Sequence, residues 1–126
     1  MGRPVTLFTG QWADLPFEDI CRKASTWGYD GLEIACWGDH MDVHQAISDP
    51  GYVELKKDIL DKFDLKCWAI SSHLAGQCVG DPYDPRLDVF VPDHVKGNPQ
   101  ELRDWAIGEM KPSARARRCW SGLAPT

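Results

Sequence analysis

The sequence predicts an α/β domain of about three strand–helix units with parallel strands, and three observations carry that expectation. Short apolar runs alternate with stretches of helical periodicity in the order β-α-β-α-β-α, the pattern of parallel strands joined by right-handed crossovers. Links from helix to strand span only about two or three residues, whereas those leaving the second and third strands run to about 12 and 25. The middle strand, Tyr29-Asp30-Gly31-Leu32-Glu33-Ile34-Ala35, sets a carboxylate among apolar neighbours. That suits a strand packing helices with one face and turning Glu33 into an enclosed space with the other.

Each element has its own signal. Val5 to Phe8 is a β-branched apolar run ended by Gly10, a strand. Asp14, Pro16, Glu18 and Asp19 mark a helix start, with a cap, a proline in the first turn and acids near the positive end of the dipole. Phe17, Ile20, Ala24 and Trp27 recur at helical spacing as its apolar stripe, and Gly28 supplies the stop. Cys36 to His44 reads as a loop or short irregular helix. Asp49 and Pro50 open the next helix, whose stripe is Tyr52, Leu55, Ile59 and Phe63. Lys66 to Ser72 is the third strand; if His73 faces the same way as Glu33, then Cys67, Ala69 and Ser71 face inward and Trp68 and Ile70 face the helices. Prolines and aspartates in residues 74–97 are expected to break any regular element there. Asn98-Pro99-Gln100-Glu101 opens a last helix with the stripe Leu102, Trp105, Ala106 and Met110, which Pro112 is expected to disturb.

A chain of 126 residues with 43% hydrophobic and 26% charged residues has the composition of one globular domain. The net charge of −5 argues against nucleic-acid or membrane-surface partners, and the arginines near the end read as solvated. Five cysteines, odd in number and without C-x-x-C spacing, fit a reduced, cytoplasmic chain. No stretch approaches membrane-spanning length, and the start lacks the apolar core of a signal peptide.

Long loops at the carboxyl ends of parallel strands mark the edge where such proteins place their sites. Glu33 and His73 are the catalytic candidates there. A carboxylate and an imidazole on neighbouring strands can act as an acid–base pair beside a carbonyl, share a divalent metal, or form a structural hydrogen bond. Trp37 and His40 are the candidate substrate contacts; Trp37 can stack on a sugar face or anchor its loop. Asp39, His40, Asp42 and His44 are dense in ligand types, yet no H-E-x-x-H occurs and capping by the aspartates accounts for them more simply, so no metal ligand is assigned. His94 has no spaced partner. No G-x-G-x-x-G, P-loop, G-x-S-x-G or Cys/His zinc pattern is present, so nucleotide-binding and serine-hydrolase readings have no support.

Gly28-Tyr29-Asp30-Gly31-Leu32-Glu33-Ile34-Ala35-Cys36-Trp37-Gly38-Asp39-His40 and Ala69-Ile70-Ser71-Ser72-His73-Leu74 resemble the sugar phosphate isomerase/epimerase family, with the xylose isomerase-like TIM barrel related to endonuclease IV. The likeness covers residues 5 to 112. It implies a (β/α)8 barrel binding a divalent metal (Mn, Mg, Co or Zn) and moving a proton next to the carbonyl of a small sugar or sugar phosphate. It also implies inner-barrel positions for Glu33 and His73 at the catalytic mouth. A closed barrel needs about 200 residues or more. The expectation is therefore a partial (β/α)8 TIM barrel: residues 1–112 as its N-terminal part, residues 113–126 as a tail outside the family fold, and the chain a truncated or frameshifted member. The family's main metal ligands come from later strands, so this chain alone is expected to hold no metal and to show weak or no turnover. The alternative is a non-catalytic α/β fragment that associates through open sheet edges, with a homo-oligomer as one outcome.

Overall fold

A computed structural model of the chain describes residues 2–120. Strands β1 (Thr6–Phe8), β2 (Gly31–Ala35) and β3 (Lys66–Ser71) form one parallel sheet in the order β1-β2-β3. Helices α1 (Phe17–Thr26), α2 (Val43–Ser48) and α3 (Pro50–Lys62) lie between strands; α4 (His73–Gly80) and α5 (Pro99–Trp120) follow β3. The expected alternation is present, with helices between parallel strands in an open sheet of three.

One face of the sheet builds the core. Leu7, Leu32 and Ile34 pack against Phe17, Ile20, Met41, Val53 and Leu60. Each large apolar side chain withdrawn from water there contributes about 1.5–3 kcal/mol. In α1 the buried positions are Phe17, Ile20, Cys21 and Ala24, the i, i+3, i+4, i+7 spacing of a helix lying on a sheet. Trp27, expected to extend that stripe, is instead the helix C-cap and stacks on Trp12 at the surface, ring centroids 5.7 Å apart. The other sheet face stays open: Thr6, Phe8, Glu33, Trp68, Ala69 and Ser71 all keep partial or full exposure.

Further expectations are corrected. In β3, Leu32 pairs with Cys67 and Glu33 with Ala69, which leaves Trp68 as an extra, bulged residue. The bulge reverses the alternation at its start. Cys67 packs with the helix-side core, while the Trp68 ring lies over Gly31 on the open face. The α3 stripe is rotated: Val53, Lys56 and Leu60 are buried and Leu55 is 65% exposed. Residues 74–97 are not devoid of regular structure, because α4 starts at His73 and 3-10 turns follow at Pro85–Phe90 and Asp93–Val95. Leu87, Val91 and Val95 bury themselves there against Cys78, Leu102 and Ala106.

Nor does the helix break at Pro112. It runs on to Trp120, with Ser113 and Ala116 buried. Proline forfeits one backbone hydrogen bond and crowds the carbonyl of Gly108, at a cost of about 3 kcal/mol. Tertiary contacts offset it: Ala116 joins the main core, and the Ser113 hydroxyl accepts from Ser72 at 2.7 Å and donates to the Glu109 carbonyl. Residues 121–126 of the expected tail lie outside the described residues.

Candidate functional site

The carboxyl end of the sheet gathers an aromatic wall. Phe8 ends β1, Trp37 follows β2, and His73 opens α4 just beyond β3. Their ring centroids lie 5.9 Å (Phe8–Trp37), 5.4 Å (Phe8–His73) and 5.1 Å (Trp37–His73) apart, the last pair edge-on. These are favourable aromatic geometries. Gly10 permits the cluster, since a Cβ there would stand 2.3 Å from the Phe8 ring and 2.8 Å from Trp37.

Glu33 is the register partner of Phe8 across β1 and β2 and of Ala69 across β2 and β3. Its carboxylate, half-buried on the open face, has no hydrogen-bond or ion-pair partner among the described residues. His73 is exposed, and its Nδ1 lies 2.9 Å from the Ser71 hydroxyl. If Ser71 donates, Nε2 carries the ring proton; if it accepts, Nε2 is a bare acceptor. Glu33 and His73 thus flank the same wall, one through its strand partner Phe8 and the other by direct stacking.

Trp37 and His40 part company. Trp37 belongs to the wall. His40 is fully buried and both ring nitrogens are committed, Nδ1 to Thr9 Oγ1 at 2.9 Å and Nε2 to the Leu15 carbonyl at 3.0 Å. The Leu15 carbonyl can only accept, so Nε2 carries a proton, and in the neutral ring Nδ1 then accepts from the Thr9 hydroxyl, which itself accepts the Ala35 amide at 3.0 Å. Burial pushes the His40 pKa down. In this structure His40 fixes the loop behind Trp37 instead of facing a ligand.

The neighbouring ligand-type residues are also architectural. Asp39 accepts the Phe17 amide at the start of α1, and its own carbonyl accepts from the buried Lys56 ammonium. That ammonium lies 4.6 Å from the centre of the Phe17 ring, and burial lowers its pKa. Asp42 caps α2 through the His44 and Gln45 amides, while Tyr52 receives the Asp42 amide. His44 Nε2 lies 3.1 and 3.2 Å from the two carboxylate oxygens of Glu109, beside a cavity of about 220 Å³ bounded by Cys36 and Trp37. No sequence spacing links His44 with Glu109. Phe8 was equally invisible as a wall residue, because only the register with Glu33 brings it there.

Metal and thiol chemistry find little support in these side chains. Among the described residues no three His, Cys, Asp or Glu side chains converge on a point that could hold an ion. Burial raises the thiols, Cys21 to about 12 and Cys67 to about 11, with Cys36 also pushed up; such groups are poor nucleophiles at neutral pH. No described helix is long and apolar enough to cross a membrane.

No protein-family model matches the chain, and a search of curated proteins finds no match.

Proposed function

We propose that this chain carries part of a proton-transfer site for a small sugar or sugar phosphate, of the isomerase/epimerase kind. The observation that supports it is the unpartnered Glu33 carboxylate in register with Phe8, whose ring joins Trp37 and His73 in one wall. A sugar presents an apolar C–H face and a polar carbonyl edge, which match an aromatic wall beside a carboxylate and an imidazole. In this reading Glu33 takes the proton from the carbon next to the carbonyl and His73 donates to the carbonyl oxygen. No step is assigned to a metal. With charge stabilisation limited to one imidazole, the chain binds a ring but turns it over slowly or not at all.

Saturation-transfer NMR with a panel of free and phosphorylated aldoses and ketoses tests this, followed by exchange of the carbon-bound proton in D2O. Ring binding should be lost in Trp37→Ala and kept in Glu33→Gln, with any exchange lost in Glu33→Gln. Absence of transfer to every sugar, or transfer unchanged in Trp37→Ala, overturns it.

A second reading, association through the open sheet, is favoured by the exposed face of a parallel sheet, a class whose faces are ordinarily both covered.

A further inference from the structure

We propose that the open sheet face docks a second copy of this chain about a two-fold axis, with Glu33 of each copy against Lys66 of the partner subunit. The inference rests on the association reading above and names its partner and geometry.

The face carries its own complement. Lys66, opposite Gly31, lies at the amino end of β3, and Glu33 lies two residues further along β2, opposite Ala69. Alternation from the core-facing Cys67 puts the exposed Lys66 on the same face as Glu33. Neither side chain has a hydrogen-bond or ion-pair partner among the described residues. Next to them lies Trp68, 41% exposed and carried onto this face by the bulge. An aromatic flanked by one unpaired acid and one unpaired base, displaced along the strands, is a self-complementary patch.

The charges also choose the orientation. A two-fold axis lying between the stacked sheets and perpendicular to the strands reverses the strand direction of the second copy, so Glu33 meets the partner's Lys66 twice over while the two Trp68 rings approach each other. A two-fold axis along the strands would instead bring carboxylate near carboxylate, a like-charge contact that works against association. The antiparallel arrangement also covers both faces of each sheet, at the spacing of about 10 Å usual for stacked sheets. In such a pair Glu33 is a partnered acid, so the sugar reading applies to the dissociated chain.

The test is sedimentation velocity of the full chain over a concentration series, with far-UV circular dichroism as the check on folding. Wild-type protein should form dimers. Glu33→Lys and Lys66→Glu should each weaken association by about tenfold or more, and the double variant Glu33→Lys/Lys66→Glu should recover it. A dimer indifferent to both reversals overturns this geometry while leaving association through the sheet standing. A chain monomeric throughout overturns both and leaves the face to a different polypeptide. Natively folded single variants that weaken without recovery in the double variant also overturn it.

Discussion

The carboxylate of Asp39 accepts the backbone amide of Phe17 at 2.9 Å, so the first turn of α1 is closed by a residue that the chain reaches only after β2. Asp14, the cap expected from proximity, is exposed and makes no capping bond to that helix. The amides of a first helical turn have no partner within the helix, and here one of them ties the loop bearing Trp37 to α1. Removing the acceptor in Asp39→Ala should cost about 1 kcal/mol, within the range for lost caps. Asp39→Asn keeps an acceptor oxygen and should lose less. Urea denaturation followed by tryptophan fluorescence measures both; equal stability of Asp39→Ala and wild type would remove the cap from the account.

His40 makes the fold sensitive to acid. Burial is the largest influence lowering its pKa; Lys56 acts in the same direction, and Asp39 with the Leu15 and Trp12 carbonyls acts against it. The folded value lies below the unfolded value of about 6.5, so the unfolded chain binds more protons once the pH falls under that value. The stability contributed by neutral His40 is full above about 6.5 and is lost as pH falls from there through the folded pKa. Unfolding free energy should therefore fall between pH 7 and pH 5, at most by about 1.4 kcal/mol for each unit separating the two pKa values, and thermal midpoints should fall with it. His40→Gln, which keeps a donor for the Leu15 carbonyl, should be less stable at pH 7 and show a flatter profile. A profile as steep in His40→Gln as in wild type would assign the acid response elsewhere.

Gly31 is fixed by the bulge. A Cβ on it would stand 2.1 Å from the Lys66 carbonyl oxygen and 2.5 Å from the Trp68 ring. Gly31→Ala should cost about 1–3 kcal/mol or more, the range for overpacked sites. Trp68→Ala in the same chain should not restore it, because the backbone clash remains. Chemical denaturation of the single and double variants checks this, and full rescue by Trp68→Ala would show the ring alone to be the obstacle.

The same bulge shows where sequence patterns stop. Leu32 and Ile34 against Glu33, and Phe17, Ile20 and Ala24 in α1, follow fixed periods, and periods survive in the fold because each face meets one environment. One extra residue at Trp68 breaks the period of two, and nothing in Lys66-Cys67-Trp68-Ala69 announces it. Lys56 escaped for a different reason. Its charge argues for the surface, yet its stem lies buried, with Nζ above the Phe17 ring and bonded to the Asp39 carbonyl. That placement depends on a loop 17 residues away in sequence. In the candidate site, Glu33, Trp37 and His73 were legible as residue types near strand ends. Phe8 and the Glu109–His44 contact needed the register and the path of α5.

Pro112 offers the last test. The residues around it continue as helix through Trp120 although Pro112 lacks an amide proton. Proline inside a helix costs about 3 kcal/mol relative to alanine, partly offset by up to about 1 kcal/mol because it restricts the unfolded chain. Pro112→Ala restores a donor toward the Gly108 carbonyl and removes the ring that crowds it. The variant should gain about 1–2 kcal/mol, with Ser113 still reaching Ser72 and Ala116 still in the core. Equilibrium denaturation compares it with wild type. A loss of stability would mean that a proline-induced bend, not a straight helix, is what seats Ser113 and Ala116 against the sheet.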